Sequence, residues 1–199
     1  MRGPVDRLTS GLPSGVRVAV DWFVTLAGAI AIVLLVKAYV VNPYRIPSSS
    51  MEPTLHCARP AQGCLADRSD RVLANRFSLH FRDPRRGEVT VFETPAAARL
   101  QCGAGGTFVK RLIGLPGETV SERSGAIFID GKRLDEPYLP RGRRGFSSGG
   151  WRVPEGHYFM LGDNRENSCD SRRWGSVARD ALIGPVFATY WPLSRLSVR

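Results

Sequence analysis

The longest apolar stretch runs from Trp22 to Val36 (WFVTLAGAIAIVLLV) without a charge and resumes after Lys37 as far as Val41. As a helix, at 1.5 Å per residue, the stretch would reach about 30 Å, the thickness of bilayer hydrocarbon. A buried core helix would carry a polar stripe, and this run has none. A cleaved export signal has an apolar core of about 7–15 residues followed by a small-residue cleavage site. Here Ala29-x-Ala31 lies inside the run, with Ile32 to Val36 still to come. The pattern predicts an uncleaved membrane anchor, closed by Asn42-Pro43, because proline lacks an N–H and restricts its predecessor. The expected division is a tail over 1–17, a transmembrane helix over 18–41 and a separate domain over 42–199.

Beyond Pro43 the periodicity changes to short β-type runs broken by turn signals: Arg71–Leu79, Glu88–Glu93, Thr107–Ile113, Glu118–Ser121, Ala126–Asp130, His157–Leu161 and Leu182–Tyr190. Asp130-Gly131 is a strong hairpin signal, since both central residues of the favoured turn need positive φ; Ser124-Gly125 is a weaker one. No 12-residue amphipathic pattern occurs outside the anchor. The expected fold class is mostly β: an N-terminal transmembrane helix followed by an antiparallel β-sheet domain. Cys57–Asp70 and the Gly/Ser/Arg-rich Arg141–Gly150 read as surface excursions, the latter mobile.

Charge changes this picture little. The formal net charge is +10, and only three of the 28 basic residues are lysines: Lys37, Lys110 and Lys132. Arg2, Arg7 and Arg17 precede the anchor against Asp6 and Asp21, so the positive-inside rule puts the N-terminus in the cytoplasm and residues 42–199 outside. The exported part keeps a net charge of +8, suited to a solvated arginine-rich face or to anionic lipid headgroups. Nucleic acid is not an expected partner: no helix-turn-helix, zinc finger or aromatic-rich RNA signature accompanies the charge.

Most familiar chemistries are missing. Gly145-Phe-Ser-Ser-Gly149 has the spacing of a hydrolase elbow, but no helix follows it and no Asp-then-His order lies downstream. There is no S-x-x-K, no C-x-x-C, no metal-ligand spacing among His56, His80 and His157, and no Gly-rich phosphate loop. Three segments remain. Ile46-Pro-Ser-Ser-Ser-Met-Glu-Pro-Thr-Leu55 places three serines just past the anchor. Gly106-Thr-Phe-Val-Lys-Arg-Leu-Ile-Gly-Leu-Pro-Gly-Glu118 embeds Lys110 in an apolar strand. A lysine there is commonly a snorkelling edge residue, but a buried amine loses pKa and becomes a base. Gly162-Asp-Asn-Arg-Glu-Asn-Ser-Cys-Asp-Ser-Arg-Arg-Trp-Gly175 is too polar for a core strand and reads as a hydrogen-bonded loop.

At these segments the sequence resembles the bacterial type I signal peptidases, membrane-bound serine endopeptidases that remove signal peptides from exported preproteins. The resemblance rests on Ser50-Met51-x-Pro53-Thr54-Leu55, Arg86-Gly-Glu-Val-x-Val-Phe92, Lys110-Arg111-x-x-Gly114-x-Pro116-Gly117 and the Gly162–Gly175 stretch. It implies a Ser/Lys dyad on a β fold, with Ser50 as nucleophile and Lys110 as general base; residue chemistry by itself leaves Ser48, Ser49 and Ser50 open. It further implies an oxyanion hole from the Ser48 hydroxyl and the Ser50 backbone N–H, a lysine-orienting hydroxyl on Ser168, and a supporting ion pair of Asp170 with Arg172. Tyr44, Ile46, Val91 and Val109 would line the substrate cleft, suited to the small side chains of Ala-x-Ala sites. Neither metal nor cofactor is called for. Soluble SOS repressors use a related Ser/Lys fold but carry a DNA-binding module and no anchor, and organellar processing peptidases share the motifs.

The chemistry demands a particular lysine. Lysine's ordinary pKa is about 10.4, so it is a cation at neutral pH and must be moved to ~7–8 to serve as a base. Val109, Leu112 and Met51 are the expected sources of desolvation, and catalysis should depend on an amine deprotonating near pH 8. Nine residues separate Ser50 from Val41, at most ~30 Å of extended chain, so the site should face the outer leaflet.

Ser49 stands where many relatives have glycine, Glu88 and Glu166 where aspartate is common, and Cys57–Asp70 looks inserted. Outside the cytoplasm disulfides persist. Cys57 and Cys64 bracket a turn-forming segment and are the expected pair, with Cys102 a competitor for either. Cys169 adjoins Ser168, where strain would disturb the lysine, and is expected free.

Overall fold

The computed structural model describes residues 13–39, 41–103, 105–140 and 147–198. These fall into two compact units that divide after Val41. The first is helix α1 (Ser14–Tyr39). Its Ser14–Val36 portion has a mean hydropathy of 2.3, long and apolar enough to cross a membrane. Trp22, Phe23, Leu26 and Ile32 stand exposed on it, which fits a helix surrounded by lipid.

The second unit is built on strands β1 (Val41–Arg45), β2 (Arg71–Asn75), β3 (Val89–Glu93), β4 (Thr107–Gly114), β5 (Thr119–Arg123), β6 (Ala126–Ile129), β7 (Lys132–Arg133), β8 (Gly149–Arg152), β9 (His157–Leu161), β10 (Val177–Ala178), β11 (Leu182–Trp191) and β12 (Ser197–Val198). One sheet runs β1-β2-β11-β3-β4-β9-β10, with β12 also on β11; a smaller one runs β7-β6-β5-β8. The pairings from β2 onward are antiparallel. Both hairpin signals take the form they announced, with φ of 47° and 80° at Asp130-Gly131 and 48° and 76° at Ser124-Gly125.

Every expected run holds a strand, with corrections at the edges. The Arg71–Leu79 run stops at Asn75, because the Asn75 side chain accepts the Ser78 N–H at 3.0 Å and starts a 3₁₀ turn over Ser78–His80. The glycines at the end of the Arg141–Gly150 excursion belong to β8, which pairs with β5 and packs Trp151 on Phe159 at 5.2 Å; residues 141–146 lie outside the described residues. A helix missed in the sequence, α2 (Ala96–Cys102), caps on Gly103 in the left-handed region. A four-residue helix α3 (Ser171–Trp174) begins at Asp170, whose side chain accepts the Arg172 N–H.

Two apolar clusters flank the central strands. Ile46, Met51, Leu55, Val89 and Val91 form one; Phe92, Leu112, Met160 and Trp174 anchor the other. A third, with Ile113, Val120, Ile127 and Phe159, fills the space under the small sheet. Buried ion pairs tie the loops to this frame. Arg111 on β4 holds Asp163 through Nε at 2.8 Å and Nη2 at 2.6 Å, while Thr54 donates to the same carboxylate at 2.5 Å. Asp163 is wholly buried. Asp163→Ala should therefore strand the Arg111 cation and lower the unfolding free energy by about 3–5 kcal/mol, measured by thermal denaturation.

Candidate active site

Pro47 forbids a helix over Ile46, and Ser48 stays extended at φ −129° and ψ 157°. The chain then winds into a 3₁₀ turn over Ser49–Met51. The first N–H groups of such a turn have no acceptor within it and point outward, ready for an oxygen ligand. Ser50 is 8% exposed, and its Oγ lies 3.3 Å from the Ser48 Oγ. The hydroxyls of Ser48 and Ser50 thus lie side by side at the start of this turn.

The polar loop after β9 fixes this turn from the other side. Asn164 donates its backbone N–H to the Ser50 carbonyl and its side-chain amide to the Ser49 carbonyl, both at 3.0 Å. Gly162 makes the approach possible: a Cβ there would sit 2.2 Å from Ser168 Oγ and 2.5 Å from the Ser50 carbonyl. Sequence reasoning named neither residue for a role. The signal for Gly162 was its place at the turn out of an apolar strand; nothing local marked Asn164. Gly162→Ala should push Ser50 and Ser168 apart by a fraction of an ångström, and a loss of activity on the order of 10²-fold is the expected outcome in a cleavage assay.

Lys110 sits on β4 opposite Thr90 and is 3% exposed. Two-residue alternation puts Phe108 and Leu112 on the same face of the strand, and the Lys110 Nζ lies 5.6 Å from the Phe108 ring centre. Among the described residues the amine makes no hydrogen bond. Burial lowers its pKa from 10.5 to about 8; Asp170 and Asp163 oppose this, and Arg172 adds to it. Phe108, which the sequence did not single out, lies on the lysine's face of the strand beside Leu112.

Ser50 and Lys110 open onto one cavity of about 420 Å³, also lined by Tyr44, Ile46, Ser48, Met51 and Val109. Val91, expected along this cleft, is instead completely buried. It pairs directly with Val109 from the neighbouring strand β3 and packs within the Ile46–Met51 cluster, outside the residues that line the cavity.

Ser168 is brought to the site, and its Oγ is buried, yet it has no hydrogen-bond partner; the expected bond to Lys110 is not made. The hydroxyl lies instead against Gly162, in the space a Cβ there would fill. Asp170 and Arg172 form the expected pair, Nε to Oδ1 at 2.8 Å and Nη2 to Oδ2 at 2.9 Å. Asp170 also accepts the Gly162 N–H at 3.1 Å, and Arg172 donates to the Arg165 carbonyl at 2.6 Å. The pair therefore pins both ends of the loop that carries Ser168.

The Cys57–Asp70 insertion is clamped by the expected Cys57–Cys64 disulfide. Glu52, fully buried two residues after Ser50, accepts the N–H groups of Cys57 and Leu65 at 3.1 Å and pairs with the His56 ring. Cys169 is not free: it is bonded to Cys102 across 6.0 Å between Cα atoms. The expectation failed because α2, unseen in the sequence, delivers Cys102 against the polar loop without displacing it.

An apolar helix long enough to cross a membrane is followed by a β domain in which a buried lysine and a serine share one cleft. Residues 19–191 match the family "Signal peptidase, peptidase S26". The protein named Probable signal peptidase I-2 of Synechocystis is 37% identical over 87% of this chain and 74% of its own length. Signal peptidase I of Leptolyngbya laminosa is 36% identical over 86% and 79%, and signal peptidase IB of Staphylococcus aureus 31% over 87% and 90%. A solved signal peptidase I of Enterococcus faecalis V583 aligns at 33% identity with a TM-score of 0.44, covering 52% of this chain and 97% of that one. The chain belongs to the signal peptidase family, as a bacterial type I signal peptidase, a hydrolase that cleaves signal peptides from preproteins.

Proposed function

We propose that cleavage proceeds through a Ser50/Lys110 dyad. The observation that carries this reading is a lysine buried in the same cavity as Ser50, with its pKa brought down to about 8 and no carboxylate bonded to its amine. The neutral Nζ removes the Ser50 proton as Oγ attacks the carbonyl of the last signal-peptide residue. The oxyanion develops toward the Ser50 N–H and the Ser48 hydroxyl. The Lys110 ammonium returns its proton to the departing amine, leaving an ester on Ser50, and then takes a proton from the water that hydrolyses it. No metal or cofactor enters these steps. Asp170 and Arg172 act by holding the loop that carries Ser168.

Tyr44, Ile46 and Val109 form shallow apolar walls that accept the small side chains of an Ala-x-Ala site. Residues 18–41 anchor the enzyme as a single span, with 1–17 in the cytoplasm and 42–199 outside, where the lipid surface delivers the signal peptide. Two measurements test this: mass mapping of a serine-directed covalent inhibitor, with the adduct expected on Ser50, and protease protection in sealed vesicles. An adduct confined to another serine, or a 42–199 domain on the cytoplasmic side, would overturn the corresponding part.

A further inference from the structure

The Cys102–Cys169 disulfide is part of the active-site cavity. Both cysteines line it together with Ser50, Lys110 and Phe108. The bridge joins the last residue of α2 to the residue between Ser168 and Asp170. On one side Cys169 adjoins Ser168, whose hydroxyl, like the Ser50 carbonyl, lies close against Gly162; on the other it adjoins Asp170, whose carboxylate accepts the Gly162 N–H. Both half-cystines also pack on the cluster of Phe92, Ala98, Leu112 and Trp174, which holds Phe108. Two polypeptide segments 67 residues apart thus make one wall of the cleft through a covalent bond.

We infer that the Cys102–Cys169 disulfide is a positioning element of the peptidase: it holds the Ser168 loop against α2 as a dry wall beside Lys110, so that full activity requires the oxidised protein. The inference rests on the Ser50/Lys110 reading. Reduction by a dithiol would cleave the S–S bond, deliver two electrons and two protons to give the thiols of Cys102 and Cys169, and convert the reductant to its own disulfide. With the link gone, α2 is held by its cap at Gly103 and by the packing of Ala98 in that cluster, with no covalent tie to the Ser168 loop. Water then reaches the amine, and the loop carrying Ser168 and Asp170 loses its outer support.

This mechanism separates from a general loss of stability, because it acts on the lysine. The charged groups facing Lys110 are Asp170 and Asp163, which favour its cation, and Arg172, which disfavours it. None is removed when the cysteines are changed. Hydration of the wall would therefore raise the amine's pKa by weakening desolvation, the leading cause of its depression.

The experiment compares full-length, detergent-solubilised wild type, Cys102→Ser/Cys169→Ser and Ser50→Ala in preprotein cleavage across pH 5–10. The expected result for the double variant is a fall in kcat/KM on the order of 10²-fold at pH 8, with the acidic limb displaced upward and the melting transition still cooperative. Should the double variant not fold, native wild type is treated with dithiothreitol, assayed and reoxidised; activity should fall and return, with the Cys102–Cys169 link followed by peptide mapping. A folded double variant, or wild type mapped as reduced at this bridge, with unchanged kcat/KM and an unmoved acidic limb would overturn the inference. So would a fall in kcat/KM with the acidic limb unmoved, which would make the bridge merely structural. If Ser50→Ala cleaves as well as wild type, the dyad reading itself fails and the inference falls with it.

Discussion

Full-length protein carrying Ser50→Ala is expected to release no mature product from a preprotein, and Lys110→Ala to do the same, each with kcat reduced on the order of 10⁴-fold or more. The two losses should not add, because the residues act on one proton: without the base the hydroxyl is a poor nucleophile, and without the hydroxyl the base has nothing to deprotonate. Melting curves should distinguish the two variants. Ser50→Ala removes a small group and leaves the turn held by its backbone bonds to Asn164. Lys110→Arg should be as inactive as Lys110→Ala, since a guanidinium stays charged at any pH the fold tolerates. Lysines elsewhere cannot substitute: Lys37 lies in the apolar helix and Lys132 follows a hairpin turn. More than a few per cent of activity in Lys110→Ala would remove the dyad.

The strands were legible because each is short, bounded by turn residues and patterned for burial on at least one face. His157–Leu161 was bounded correctly at both ends, and both turn dipeptides adopted positive φ. What the pattern could not show was tertiary. α2 is a seven-residue helix with one buried residue, Ala98, too short for a periodicity to emerge. β8 begins with two glycines and exists because β5 pairs with it.

The site divides in the same way. Motifs pointed to Ser50, Lys110, Ser168 and the Asp170–Arg172 pair; in the fold Ser50 and Lys110 share a cavity, while Ser168 and Arg172 line another. Motifs could not tell that Val109 lines the cavity while its pairing neighbour Val91 is wholly buried, because the two are equivalent in sequence texture. Nor could they show that Asn164 holds the Ser49 and Ser50 carbonyls, since that contact spans more than a hundred residues. Cys169 was misread for a related reason: its partner arrives on an element the sequence did not announce.

The pH dependence of kcat/KM should follow the neutral fraction of Lys110. With the amine's pKa at about 8, that fraction falls tenfold for each pH step below it. Activity at pH 5 should therefore be about a thousandth of the plateau reached above pH 8. The same depression acts on folding. Lys110 is almost fully buried, and its displacement from 10.5 to about 8 disfavours the native ammonium by about 3 kcal/mol at neutral pH. The folded-state pKa is lower than the unfolded one, so between pH 8 and 10.5 the unfolded chain holds more protons, and stability rises with pH across that window. Below pH 8 both states carry the proton and the penalty is constant. Lys110→Met, which fills the space without a charge, should then be inactive yet more stable than wild type by a few kcal/mol at pH 7, with the difference shrinking toward pH 10. Denaturant unfolding at the two pH values would show it. A variant less stable than wild type at pH 7 would mean that the lysine is solvated in the folded protein, and the base would have to be sought elsewhere.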